Sequence, residues 1–220
     1  MTHNLPTAVL LDFDDTLIAT SRSRRGLFFD HLRSFGASEV TIEWLAERWG
    51  LPFPEMVRTV LAADMRENFV LSYIGLMRRH PPAPCSGAGE FLRTARRADM
   101  PVAVVSSSSR RLIEVDLVTL GLDNLVNRIY GVEDVPFVKP DPRVLGPARR
   151  YLREEFGIWA FTEALFVGDS LTDHAAVSGA CRFAAVLSGS CPAEEFLTAG
   201  VAADHIFGSL EEVVSLLSAA

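Results

Sequence analysis

The chain has almost no lysine. Of 21 basic residues only Lys139 is a lysine, and the other 20 are arginine. It is also poor in cysteine, with three residues, Cys85, Cys181 and Cys191, and no C-x-x-C spacing. That excludes a disulfide framework and a cysteine zinc site, and it fits a reducing, cytoplasmic setting. No apolar run nears the ~18 residues of a membrane span. The first residues, MTHNLPTAVLLDFDD, have no basic region and too short an apolar run for a secretory signal. Net basic charge is missing too: at −7 the chain lacks the positive face expected of a nucleic-acid binder. Neither nucleic acid nor membrane is therefore an expected partner, and the expected assembly is a monomer or a homodimer.

At 220 residues the chain can bury a sizeable core, and its 49 % hydrophobic and 22 % charged residues suit a globular protein. Four short apolar runs read as buried strands: AVLLDF (8–13), PVAVVS (101–106), ALFVGD (164–169) and RFAAVL (182–187), with VNRIYG (126–131) as a weaker fifth. Continuous rather than alternating apolar strands suit a parallel sheet covered on both faces. Helical patterns at 89–98, 110–121, 142–156 and 172–180 alternate with them. The expected fold is α/β, a Rossmann-like parallel sheet.

From about Ile18 to Ala83 that rhythm stops. Only amphipathic helical stretches are found there, followed by the hinge-like HPPAPCSGAG. Residues 18–83 are expected to form a helical cap inserted after the first strand, with 1–17 and 84–220 as the core.

In an open α/β sheet, ligands bind beyond the carboxyl ends of the strands. Those ends carry polar residues. After the first strand comes DFDDT, where Asp12 and Asp14 share one side of an extended backbone. Two close carboxylates repel unless a cation or a shared proton relieves them. After the second comes SSSSR, where the Ser106 hydroxyl and nearby backbone N–H groups at a helix start can hold an anion. Lys139 stands in FVKPDP between stiff, apolar flanks. After the strand at 164–169 comes GDSLTD, where Asp169 and Asp173 converge if a helix begins near Ser170. Each segment alone also reads blandly, as a turn, a helix cap or a surface lysine. Together they are the inventory for a magnesium-bound phosphoryl group.

The order D-x-D-x-T, hydrophobic strand then Ser, K-P-x-P and G-D-S-x-x-D resembles the haloacid dehalogenase-like superfamily, in the small-helical-cap branch that includes phosphoglycolate phosphatases and β-phosphoglucomutases. The resemblance spans about Ala8 to Leu187. It implies a Mg²⁺-dependent phosphatase for a small phosphorylated metabolite, working through an aspartyl-phosphate. Asp12 would be the nucleophile and a metal ligand. Asp14 would be general acid and base, and its backbone carbonyl a ligand. Asp169 would bind the metal directly and Asp173 indirectly or by holding Lys139. Ser106, Ser107 and Lys139 would bind the phosphoryl oxygens. Asp15 stands where glycine is frequent, and it reads as a turn residue.

The presence of Asp14 argues against dehalogenation, and a cap without lysine excludes Schiff-base phosphonate hydrolysis. A phosphosugar mutase with the same chemistry is the alternative. A phospho-acceptor switch or a degenerate binding module is the non-enzymatic one. In the cap, His31, Trp44 and Trp49 read as packing, and in the core His174, beside Asp173, reads as helix surface. The cluster SRSRR reads mainly as a solvated basic helix start, with Arg22 or Arg25 as the residue that would reach a second polar group on the substrate.

Overall fold

Each of the apolar runs becomes a strand. The protein is described by a computed structural model covering residues 5–218. Strands β1 (Val9–Leu11), β2 (Val102–Val105), β3 (Arg128–Tyr130), β4 (Leu165–Gly168), β5 (Arg182–Val186) and β6 (Ile206–Phe207) form one sheet in the order β3-β2-β1-β4-β5-β6. All pairings are parallel, with Val9 opposite Val102 on one side and Leu165 on the other. The chain builds outward from β1 in one direction and then in the other. The carboxyl end of β1 is therefore the place where the strand order reverses, the position at which such sheets leave a crevice.

Both faces of the sheet are covered, which is why its strands carry apolar residues at successive positions. Val9, Leu11, Val104 and Val167 face helices α6 (Ala88–Arg97), α7 (Arg110–Leu120) and α11 (Leu210–Val213). Leu10, Val105, Phe166 and Ala185 face α8 (Gly146–Phe156), α9 (Leu171–Val177) and α10 (Ala193–Thr198). The sixth strand was not foreseen from the sequence. It has two residues at the sheet edge, too short to leave a run.

Between β1 and α6 the chain makes five helices: α1 (Thr20–Ser23), α2 (Arg25–Ser34), α3 (Ile42–Arg48), α4 (Phe53–Val60) and α5 (Arg66–Arg79). They share a third apolar cluster centred on Phe28, Leu32, Leu45, Phe69 and Tyr73, which also takes in Leu112 and Val115 of α7. Phe28 packs edge-on against Phe69 and Tyr73, with centroids 5.7 and 5.3 Å away. The chain leaves the sheet and returns to it along neighbouring paths. Ala19 N–H donates to Ala83 at 2.9 Å, and Cys85 N–H donates to Leu17 at 3.0 Å. Among the described residues no helix is long and apolar enough to cross a membrane.

Candidate active site

Beyond the ends of β1, β2 and β4 lies a cavity of about 560 Å³. It is lined by Asp12, Asp14, Ser106, Ser107, Lys139 and Asp169 from the sheet side and by Arg22 and Arg25 from the helical layer. The backbone places the carboxylates. Asp12 continues the ladder past β1, its N–H donating to Val167 at 3.0 Å. Asp169 follows β4 directly and accepts from the Thr16 hydroxyl at 2.9 Å.

The single lysine is the centre of this arrangement. Its side chain is 6 % exposed, and Nζ donates to Asp12 Oδ1 at 2.5 Å and to Asp173 Oδ1 at 2.6 Å. Burial alone would pull the ammonium pKa down. Asp12 and Asp173 outweigh that and hold it above the ordinary lysine value. Asp173 serves two masters. Its Oδ2 accepts from Ser170 N–H and hydroxyl, while Ser170 Oγ accepts from Asp173 N–H, a capping box that starts α9. The helix-capping reading and the site reading of Asp173 are thus both realised, one per oxygen.

Asp12, Asp169 and Asp173 are all buried, with one oxygen from each within 4.8 Å of the others. Burial raises Asp12 well above its ordinary carboxylate value; Lys139 opposes this, and Asp173, Asp169 and Asp14 add to it. Asp169 is pushed up to about 7 by burial first and the Asp173 charge second. Three carboxylates against one ammonium leave surplus negative charge in a dry place. An all-oxygen donor set with that surplus fits a hard divalent cation such as Mg²⁺.

Asp14 is half-buried and accepts from the hydroxyls of Ser108, at 2.6 Å, and Ser106, at 3.3 Å. The anion site expected at Ser106 differs in one respect. The helix begins at Arg110, as its pattern predicts, but the Arg110 N–H donates to Glu133 Oε2 at 2.9 Å. That N–H is already paired, and it is Ser106 and Ser107 of the preceding loop that line the cavity.

Asp15 has φ of 55° and accepts at Oδ1 from Ser21 N–H (3.0 Å) and Oγ (2.8 Å), the turn role expected of it. His31 is packing: it is buried, 4.6 Å from the Phe69 ring, and hydrogen-bonded to Phe69 carbonyl and Ser72. His174 is half-buried against Phe183, with centroids 5.1 Å apart.

The arginine cluster needs correction. Arg22 is exposed and Arg25 half-buried, both on the cavity wall, but Arg24 is 3 % exposed. It forms an ion pair with the buried Asp116 of α7 and donates to the His80 carbonyl at 2.5 Å. A solvated helix start does not describe it. The partners are 92 positions apart, and Asp116 sits inside an ordinary helical pattern.

Four further residues were missed. Ser108 holds Asp14 and Thr16 holds Asp169, as given above. Trp49 does more than pack, since it lines the cavity. At Gly189 an added Cβ would lie 1.8 Å from Asp169 Oδ2. Thr16 alone had a signal, as the last letter of DFDDT.

Residues 9–186 match the model of the haloacid dehalogenase-like hydrolase family. A phosphoglycolate phosphatase from Rhodobacter capsulatus is 25 % identical over 175 residues, 76 % of this chain and 77 % of that protein. Pyrophosphatase PpaX of Bacillus cereus is 25 % identical over 217 residues, 96 % of this chain and 95 % of its own. The crystal structure of CbbY from Rhodobacter sphaeroides in complex with phosphate shares the fold, with TM-score 0.75, 20 % identity, and 95 % and 96 % of the two chains covered. The chain belongs to the haloacid dehalogenase-like hydrolase family. It is a hydrolase of that family, on the phosphatase branch its relatives represent.

Proposed function

We propose that this hydrolase is a cytoplasmic, Mg²⁺-dependent phosphatase that cleaves a small phosphorylated metabolite through an aspartyl-phosphate on Asp12. The observation that carries this reading is Lys139, buried between Asp12 and Asp173 in the cavity that Asp14, Ser106 and Asp169 also line. The phosphatase names of the curated relatives support it.

An oxygen of the Asp12 carboxylate attacks phosphorus, and the bond from phosphorus to the leaving oxygen breaks. Asp14, positioned by Ser106 and Ser108, gives its proton to that oxygen. Asp14 then takes a proton from water, whose oxygen attacks the same phosphorus. The bond from Asp12 to phosphorus breaks, phosphate leaves, and both carboxyls are restored. Lys139 favours the ionised form of Asp12 against its burial and faces the phosphoryl oxygens during attack, with Ser106 and Ser107 as further donors. Asp12, Asp169 and the Asp14 carbonyl would hold Mg²⁺, with Asp173 supporting the set through Lys139. Bound there, the ion supplies positive charge that offsets the crowded carboxylates and the charge developing on the phosphoryl group. Residues 18–83 act as the cap over this cavity, with Arg22 and Arg25 available to a second polar group of the substrate.

The test is phosphate release from an aryl phosphate by the purified protein. Release should require Mg²⁺, stop on chelation and return on adding Mg²⁺ back. A protein that releases no phosphate with Mg²⁺ present, from the aryl ester or from a panel of phosphometabolites, refutes the reading.

A further inference from the structure

A second pocket, of about 70 Å³, shares Asp14, Trp49, Gly50, Leu51 and Ser107 with the large cavity. Its character is different. Beyond those shared residues its walls are mostly apolar: Phe28, Phe53, Met56, Tyr73 and Met77 of the helical layer, and Leu112 of α7. Arg24 and Asp116 also line it, but they neutralise each other. Two lining residues keep a buried polar atom without a protein hydrogen-bond partner, Thr20 Oγ1 and Arg24 Nε. Both residues are 3 % exposed. A buried donor left unpaired is costly, so such atoms point to a group that pairs with them.

The position of Asp14 decides what that group is. On the phosphatase reading, the phosphoryl group lies with Asp12, Ser106 and Lys139 in the large cavity. The oxygen that receives the Asp14 proton then lies between the two spaces, and the rest of the leaving group has the apolar pocket before it. A carboxylate or second phosphate there would lose water and gain no free cation, because the Arg24 charge is spent on Asp116. By proportion to the ~150 Å³ cavity that takes up benzene, the pocket holds about three heavy atoms.

We infer, resting on the phosphatase reading, that the preferred substrate is the phosphate ester of an uncharged short-chain alcohol. Its carbon chain fills this pocket, and on binding the wall shifts so that one hydroxyl or carbonyl oxygen accepts from Thr20 Oγ1 and Arg24 Nε, which lie closed off from solvent here.

The test uses the full chain with Mg²⁺ and compares kcat/KM for methyl, ethyl, propyl and hydroxypropyl phosphate, phosphoglycolate and inorganic pyrophosphate. Values should rise about fourfold per carbon from methyl to propyl. They should rise about tenfold again with the terminal hydroxyl. Phosphoglycolate should fall below ethyl phosphate. Leu112→Trp should bring the propyl-to-methyl ratio to about one. Thr20→Val, which removes only an unpartnered hydroxyl, should cut the hydroxypropyl-to-propyl ratio severalfold. A flat alkyl series overturns the inference, and so does phosphoglycolate or pyrophosphate outrunning hydroxypropyl phosphate; in both cases the phosphatase reading survives. A hydroxypropyl-to-propyl ratio that Thr20→Val leaves alone overturns the assigned oxygen contact. Release from none of these compounds while an aryl phosphate is cleaved overturns the inference alone; release from neither overturns the phosphatase reading with it.

Discussion

The two spaces that meet at Asp14 are built in opposite ways. The large one is framed by backbone: its carboxylates, serine and lysine stand in loops that follow strands, and the ladder fixes where those loops begin. The small one is framed by side chains, mostly aromatic and aliphatic, brought together only when five helices pack over the sheet. In the first, Lys139 is held between two carboxylates and Asp14 between two hydroxyls, and of its lining Ser188 keeps a buried Oγ without a protein partner. In the second, Thr20 and Arg24 each keep a polar atom free of protein partners. Groups that must stay in register within a fraction of an ångström belong on the rigid strand ends. Groups that select a substrate can vary with the packing of a helical layer.

The sharpest way to break this division is at the strand end. Asp12→Asn keeps the shape but removes the attacking charge, and phosphate release should fall by about 10⁴ or more, read by single-turnover assay with circular dichroism as the control for fold. A residual rate near wild type would end the aspartyl-phosphate mechanism. Next comes Lys139→Arg, which keeps the charge and changes its shape. The planar head does not fit a pocket where one nitrogen meets two carboxylates, and turnover should drop by about two orders of magnitude. Full activity in steady-state kinetics would mean that charge alone suffices there.

The helical side should answer in stability instead. Arg24→Met leaves Asp116 buried without its partner and should destabilise by about 3 kcal/mol in urea unfolding. Adding Asp116→Leu should restore most of that loss. A double variant as unstable as the single one would mean that the pair contributes packing rather than charge balance.

Asp15→Asn is the smallest change. Burial raises the Asp15 carboxyl above its ordinary 3.8. A raised carboxyl binds its proton more tightly folded than unfolded, so its stabilising contribution is complete below 3.8 and is lost as pH rises through the folded value. Asparagine keeps the turn and an acceptor for Ser21 but cannot ionise. Melting curves across acid to neutral pH should show a shallower decline for the variant, with a change within about 0.5 kcal/mol elsewhere.

The same contrast explains what could be read beforehand. The apolar runs exposed four of the six strands because a strand buried on both faces writes its burial into consecutive letters, while β3, with Arg128 exposed, left only a weaker run. Asp12, Ser106 and Asp169 were legible as positions because each stands directly after such a run. Lys139 was legible because the rest of the chain uses arginine. Arg24 and Asp116 were not, since nothing local to either distinguishes it from a surface charge, and only the packing of α7 under the helical layer joins them. The start of α7 at Arg110 was legible, but the Glu133 that takes up its first N–H was not, since it lies 23 positions away.

The paired crossings at Ala19–Ala83 and Leu17–Cys85 have an engineering corollary. Because the outgoing and returning chains run shoulder to shoulder, the segment between them is in effect a cassette with adjoining plugs. It can be exchanged for another helical layer, or shortened to a turn, without re-threading the sheet. Such a graft inherits two debts on α7: the apolar face at Leu112 and Val115, which the replacement must shelter, and Asp116, which loses Arg24.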